Sequence, residues 1–137
     1  MNTVVKDIDK IIDWYNNHYR GASLHNLMDA KTKLLTLCYT YSEEVAESKR
    51  GSVVATAFRK AEHHKIKSQL IDEGMAQGAA ESRTIDEIRD IINEEAEREA
   101  LAYRTRLVLD IALRISEDLS QRISVLKKEM ESSRDSV

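Results

Sequence analysis

Six basic side chains lie close together in the segment AFRKAEHHKIKSQLID, which spans residues 57–72. Ammonium and guanidinium groups spaced along a helix can bind phosphates, and such contacts position a nucleic acid without reading its sequence. Lys60, His64 and Lys67 stand at i, i+4 and i+7, which places them on one helix face. The segment therefore predicts a helix that binds a polyanion. Its basic residues are Arg59, Lys60, His63, His64, Lys65 and Lys67.

This concentration of positive charge contrasts with the whole chain, whose formal net charge is −3 at pH 7. Residues 49–67 contain six lysines and arginines and a single acid, Glu62. Residues 81–99 contain eight acids and three arginines. Two interpretations stay open: a free basic surface that binds phosphates, or solvated helix faces whose charges neutralise one another after the chain folds back.

Glu62 interrupts an apolar stripe that the spacing predicts for the same helix. Burial of a carboxylate on that stripe is unfavourable unless a cation meets it. The alternative is that Glu62 stays hydrated at the edge of an interface. The stripe comprises Ala55, Phe58, Ile66 and Leu70, and the candidate partners of Glu62 are Lys31, Arg106 and Arg114.

The composition predicts an all-α protein. The 137 residues include no proline and only four glycines, and 33% are charged, whereas strands joined by tight turns need more of both turn residues. The length fits a single domain. We divide it into an N-terminal helix (1–22), a basic helical segment (23–83), a long closing helix (84–131) and a frayed polar tail (132–137).

Caps and glycines predict the boundaries inside the basic segment. Ser23 is the predicted N-cap of a second helix. Gly51 is predicted to end that helix, and Ser52 to cap a third. Gly74 and Gly78 permit a chain reversal, so the third and fourth helices are predicted to form a hairpin.

The closing helix is predicted to begin at a capping box formed by Thr84 and Glu87. Apolar residues then recur every three or four positions, and a helix of this length is too long for a compact chain of 137 residues. It must bury its stripe against the third helix or another subunit, so we expect an elongated homo-oligomer of helical hairpins. The stripe comprises Ile85, Ile88, Ile92, Ala96, Ala100, Tyr103, Leu107, Ile111, Ile115, Leu119, Ile123, Leu126 and Met130.

Most site chemistry is missing from the sequence. No glutamate stands three residues before any of the four histidines, and no glycine-rich phosphate loop occurs, so we expect no metal and no cofactor. Cys38 is the single cysteine, and its apolar neighbours predict a half-buried, inert thiol. Early acidic residues and the lack of a long apolar run predict an intracellular, soluble protein without signal peptide or membrane span.

One acidic motif indicates an enzyme as a less favoured alternative. SEEVAE, with Glu43, Glu44 and Glu47, resembles half of the metal site of the all-α MazG-like nucleotide pyrophosphatases, in which carboxylates one turn apart hold magnesium. Glu87 and Asp90 match the second half of that motif. Their separation from the first half, about 40 residues, is longer than the family leads us to expect.

The order of features resembles the UvsY-type recombination mediators of T-even-like phages over roughly residues 24–130. The matching passages are DAKTKLLTLCYTYSEEV, AFRKAEHHKIKSQLIDEG and LRISEDLSQRISVLKKEM. The last contains LSQRISVLKKE, which is similar to the family pattern I-x-x-R-x-x-x-I-K. In the middle passage the matched positions are Phe58, Arg59, Lys60, Glu62, Lys65, Leu70, Ile71 and Asp72.

This resemblance implies a non-enzymatic protein, cytoplasmic in a phage-infected bacterial host. It would assemble as a homo-oligomeric ring of six or seven subunits, bind single-stranded DNA and help a recombinase displace a single-strand-binding protein. A coiled-coil adaptor that binds another protein through the long apolar stripe is the alternative. The phosphate contacts carried over are Lys49, Arg50, Arg59, Lys60, Lys65 and Lys67, and the basic stripe adds His64.

Tyrosines mark a departure from that family. The family has them in a basic stretch, where they suit base stacking, whereas Tyr39 and Tyr41 precede an acidic run here. The sequence leaves open whether these two rings stack on bases or pack in the core.

Overall fold

The computed structural model describes residues 2–135 of the chain. Within that range it is all-helical, with no strand, which confirms the all-α prediction. The predicted hairpins and homo-oligomer remain predictions. The four helices are α1 (Thr3–His18), α2 (Leu24–Asp72), α3 (Gln77–Glu87) and α4 (Arg89–Asp135).

The helices contribute to two compact units. The first unit comprises residues Met1–Glu44 and Arg106–Val137, and the second comprises Val45–Thr105. The first unit therefore contains α1 with parts of α2 and α4, whereas the second contains α3 with the remaining parts of the two long helices.

The first unit has an apolar core supplied by three helices. Asn2 caps α1, since its side-chain oxygen accepts a hydrogen bond from the Val4 amide at 2.8 Å. The Asn2 amide group also donates to Glu44 on α2. Ser23 caps α2 as predicted, because its Oγ accepts from the Asn26 amide at 3.1 Å. The buried side chains are Ile8, Tyr15, Leu27, Ala30, Leu34, Cys38, Tyr41, Leu109, Ala112, Ser116, Leu119 and Ile123.

The predicted break at Gly51 is wrong, because α2 continues through it without interruption. Ser52, the predicted cap of a new helix, is instead a buried residue in the middle of α2. A single glycine costs a helix only about 1 kcal/mol relative to alanine, which the packing of the surrounding turns can offset. The predicted second and third helices are therefore one helix.

Gly74 follows the last turn of α2, which ends at Asp72. Its φ of 99° lies in the left-handed region that glycine adopts without strain. The Gly74 amide donates to the Ile71 carbonyl at 2.9 Å, and the Met75 amide donates to the Leu70 carbonyl at 3.0 Å. These two hydrogen bonds form a Schellman motif. Gly78 is not part of the turn, since it lies in α3.

The capping box predicted at Thr84 is also wrong. Thr84 lies inside α3, where it is fully buried and its hydroxyl donates to the Ala80 carbonyl at 2.7 Å. Glu87 pairs with Arg83 at 3.2 Å instead of reaching back to a cap. The break between α3 and α4 is at Ile88, whose φ of −100° and ψ of 16° depart from helical values.

The apolar stripe predicted for the closing helix is only partly buried. Ile88, Leu119 and Ile123 are buried, but Tyr103, Leu107, Ile111 and Met130 are exposed. One leucine and three small or hydroxyl side chains take buried positions instead. The helix also continues to Asp135, beyond the predicted end at residue 131, while residues 136 and 137 of the predicted tail lie outside the described range. The buried positions of α4 that the pattern missed are Thr105, Leu109, Ala112 and Ser116.

Candidate nucleic-acid interface

All seven predicted DNA-binding residues lie on α2 in the second unit. Lys49 and Lys60 are eleven residues apart, which is three helical turns, and His64 follows one turn later. These three side chains are exposed on one face of the helix. Lys65 is exposed about 140° around the helix from Lys60, since each residue turns the chain by about 100°.

Arg59 forms an ion pair with an acid and is largely shielded from solvent. Its Nε donates to both carboxylate oxygens of Glu95 on α4, at 3.0 and 2.9 Å. Only 29% of the Arg59 side chain and 14% of the Glu95 side chain is exposed. The prediction that Arg59 contacts phosphate therefore requires this ion pair to open.

Lys67 and His63 converge on a second acid, Glu81 of α3. The Nε2 atom of His63 lies 2.9 Å from Oε1 of Glu81. The Lys67 ammonium lies 2.9 Å from Oε2 of Glu81, but this ammonium is not aligned for a hydrogen bond of good geometry. The contact with Lys67 and then the one with His63 lower the pKa of the Glu81 carboxyl below its ordinary value. The charged form of Glu81 therefore holds Lys67 toward α3.

Arg50 also has an acidic neighbour, Glu47, one turn earlier on the same exposed helix face. This pair is more than 60% exposed on both sides, so water weakens it and a phosphate could replace the carboxylate at little cost. Lys49, Lys60 and Lys65 form no ion pair with any residue in the range 2–135.

The interpretation in which folding neutralises the charges holds for three residues of the basic segment, whereas phosphate binding by the others stays a prediction. Folding places acids of α3 and α4 against Arg59, His63 and Lys67. The four predicted residues that stay exposed without an acidic partner among the described residues are Lys49, Lys60, His64 and Lys65.

The predicted apolar stripe of this part of α2 needs correction at Phe58. Its side chain is 53% exposed, next to the exposed Val54 one turn earlier and Lys65 two turns later. The reason is that the buried face follows Val45 and Ser52, at a spacing of one heptad, and not the largest apolar residues. Glu62 is half-buried and pairs with no cation among the described residues, in line with the hydrated alternative.

The two tyrosines that the sequence left open differ in position. Tyr41 is 3% exposed and packs in the core of the first unit, where burial raises the pKa of its phenol. Tyr39 is 80% exposed. Cys38 is buried, more deeply than predicted, and burial raises the pKa of its thiol, which makes the reactive thiolate scarce.

The acidic motif that suggested a pyrophosphatase has other partners. Glu44 accepts from Asn2, Glu47 pairs with Arg50, and Glu87 pairs with Arg83. Across residues 2–135, no three acids, histidines or cysteines are grouped closely enough to hold a metal ion. The same range contains no helix that is both long and apolar enough to cross a bilayer.

Sequence reasoning missed an aromatic cluster at the end of α1. The rings of Trp14 and His18 are parallel within 20° with centroids 6.2 Å apart, and those of Tyr15 and Tyr19 are parallel within 18° at 5.4 Å. The guanidinium of Arg20 lies 5.5 Å from the Tyr19 ring centroid. The signal was present in the stretch WYNNHYR, where two aromatic pairs are spaced at i, i+4.

No protein family, curated protein or solved structure matches the chain. The functional assignment therefore depends on the chain's own residues and on the resemblance of its sequence pattern. Among those residues, the exposed cations of α2 and the aromatic cluster of α1 are the two groups with chemistry suited to a ligand.

Proposed function

We propose that this chain is a non-enzymatic, single-stranded DNA-binding protein that assembles with copies of itself and helps load a recombinase. The observation that carries the proposal is a set of exposed basic residues on α2 that have no acidic partner among residues 2–135. Lys49, Lys60 and His64 lie on one face, and Lys65 lies about 140° around the helix from Lys60. A rigid helix holds these charges at fixed spacing, and a phosphate backbone can bind along them.

The exposed cations suit a single strand whose bases remain accessible. Lysines bind phosphates as point charges, so they tolerate any sequence. Phe58 is exposed on the same side of α2 as Lys65, two turns earlier, and an exposed ring near a basic residue is typical of proteins that bind single strands. The resemblance to UvsY-type mediators supports the same ligand and extends the proposal to a recombinase and a single-strand-binding protein as partners.

Self-assembly is supported by apolar residues that the described chain leaves on its surface. On α2, Met28, Leu35 and Tyr39 are exposed at helical spacing, and on α4 so are Leu107 and Ile111. Apolar helix faces of this kind commonly pack against another subunit. In a ring, several copies of a weak phosphate-binding face would act on one strand, which raises the overall affinity by an effective-concentration effect.

The proposal is tested with the double variant Lys49→Glu, Lys60→Glu. Binding of a labelled oligo(dT) is followed by fluorescence anisotropy at several salt concentrations. Since each phosphate contact on a single strand contributes about 0.7 to the slope of log affinity against log salt, the variant is expected to lose about 1.4 from that slope and roughly tenfold or more in affinity. Lys127→Glu with Lys128→Glu makes the same charge change at exposed lysines of α4 and is expected to have a smaller effect.

Equal affinity and equal slope in the wild type and the Lys49, Lys60 variant would contradict the proposal. The exposed apolar residues of α2 and α4 would then favour the coiled-coil adaptor, which binds a protein and not DNA. Light scattering of the wild type with and without the oligonucleotide separates the two, because only the first function predicts a salt-sensitive complex with DNA.

A further inference from the structure

The end of α1 and the turn that follows it form an open groove with a volume of about 790 Å³. This volume is within the range of small-molecule and cofactor sites. The groove lies wholly in the first unit, apart from the basic residues assigned to phosphate binding. Its chemically informative residues are Trp14, His18, Tyr19, Arg20 and Asn26.

Trp14 is the centre of this region. It lines the groove, and together with Asn26 it also lines a second depression of about 330 Å³ that includes Lys10 and Lys33. The indole is half-buried, so part of it remains open to a ligand. An indole ring held in place by its helix is a good stacking surface for another flat ring.

His18 is held parallel to this indole by a backbone contact. Its Nδ1 lies 3.0 Å from the Trp14 carbonyl oxygen, and because a carbonyl only accepts, Nδ1 carries the proton. Nε2 is then left to face solvent or a ligand. The neighbouring Arg20 donates from Nε to the Tyr19 hydroxyl at 2.9 Å, which keeps a positive charge at the edge of the aromatic cluster.

We propose that this groove binds an unpaired nucleobase, which stacks on Trp14 while Arg20 and Asn26 offer groups for its polar edge or its phosphate. Stacking is tolerant of base identity because every base has a π-face. A positively charged residue beside the rings favours nucleic acid over an uncharged aromatic ligand. The inference rests on the proposed function, since it takes single-stranded DNA as the ligand, and it adds a base-binding site to the phosphate contacts of α2.

Trp14 is the only tryptophan of the chain, so the intrinsic tryptophan fluorescence reports on the surroundings of this indole alone. The full-length protein is titrated with a twenty-nucleotide oligo(dT) and with an abasic strand of equal length, which keeps the phosphates and lacks the bases. Anisotropy of a label on either strand reports total binding. We expect oligo(dT) to quench Trp14, the abasic strand to leave it nearly unchanged, and oligo(dT) to bind at least about fivefold more tightly at the same salt.

Substitutions in the groove distinguish a role of Trp14 in base stacking from a role in packing of the fold. Trp14→Leu is expected to abolish the preference for oligo(dT) over the abasic strand, Trp14→Phe to retain part of it, and both to keep the salt dependence of the wild type. His18→Ala changes an exposed residue of the same cluster and is expected to reduce the preference even if Trp14→Leu impairs folding.

Three outcomes would overturn the inference. If both strands bind equally tightly and neither changes Trp14 fluorescence, the phosphate contacts stand and the base site is wrong. If neither strand binds, the proposed function fails and the base site fails with it. If Trp14 fluorescence changes on dilution of the protein without DNA, the groove is occupied by a second copy of the chain.

Discussion

In the first unit the buried side chains are mostly large and apolar, whereas in the second unit half of them carry a hydroxyl. The second unit buries Val45, Ser52, Ala80, Thr84, Ile88 and Thr105. Its helices are connected in addition by the ion pairs of Arg59 with Glu95 and of Glu81 with Lys67 and His63. The first unit therefore depends on apolar burial, and the second depends to a greater extent on charge.

This difference suits the proposed phosphate contacts of α2, which lie in the second unit. A segment that binds phosphates must keep cations at its surface, so it cannot bury as much apolar area as an ordinary core. The second unit compensates with acids of α3 and α4, which hold some of the cations and leave others free. The first unit carries none of the proposed phosphate contacts of α2, so apolar burial can stabilise it to a greater extent.

The largest expected effect on the free energy of unfolding comes from a substitution in the apolar core of the first unit. Leu119→Ala removes a side chain that is fully buried, and we expect it to lower the free energy of unfolding by about 2–5 kcal/mol. Leu113→Ala is the matched control on the same helix, since Leu113 is 39% exposed, and it should cost about 1 kcal/mol or less. Urea unfolding at a fixed protein concentration measures both.

Similar costs for Leu119→Ala and Leu113→Ala would contradict the assigned core. Such a result would mean that the face of α4 that carries Leu113 is as well packed as the buried one, as it would be if that face were covered in an assembly.

The next effect concerns the charged contacts of the second unit. Glu95→Gln removes the charge opposite Arg59 in a mostly buried pair and should cost about 1–2 kcal/mol. Glu94→Gln alters the neighbouring residue, whose pair with Arg98 is about half exposed, and should change stability by no more than about 0.5 kcal/mol.

Hydrogen exchange locates the effect of Glu95→Gln. Amides in residues 45–105 are expected to exchange faster in this variant than in the wild type, and more so than amides of the first unit. Uniform protection across both units, or equal effects of the two variants, would show that the second unit does not depend on this ion pair.

The helical class could be predicted from composition, but helix boundaries could not be predicted from glycines and caps alone. Ser23 acts as the predicted cap because it lies where the chain enters α2, and Gly74 lies where the chain leaves that helix; each position has backbone groups to satisfy. Gly51 and Thr84 have the same local signals inside a helix, where burial of neighbouring turns outweighs them. Tertiary packing therefore decided these two positions.

The candidate site was predictable as a list of charges but not as a surface. Sequence spacing identified the basic stripe of α2, yet it could not show that Arg59 faces Glu95 or that Lys67 faces Glu81, since those acids are distant in sequence. The aromatic pairs at Trp14 could be recognised from their i, i+4 spacing. The groove beside them could not, because it exists only after the turn that follows α1 has formed.

The smallest expected effect is a pH dependence that originates at Glu81. Its neighbours Lys67 and His63 hold the pKa of the Glu81 carboxyl below the ordinary value for glutamate, so the folded state favours the charged form more than the unfolded state does. The stabilisation is thus fully present above about pH 4.3, the ordinary glutamate pKa, and is lost as the pH falls through the lower folded pKa. Glu81→Gln removes the titrating group while keeping its shape.

Thermal unfolding of the wild type and of Glu81→Gln between about pH 5 and pH 3 tests this dependence. The melting temperature of the wild type should exceed that of the variant at the upper end, and the difference should shrink as the pH falls. Glu87→Gln, in an exposed pair with Arg83, is the control and should give a smaller difference that changes little with pH. If the difference in melting temperature between the wild type and Glu81→Gln instead grew as the pH fell, the charged form of Glu81 would be destabilised by its surroundings. The second unit would then not be stabilised by this cluster of charges.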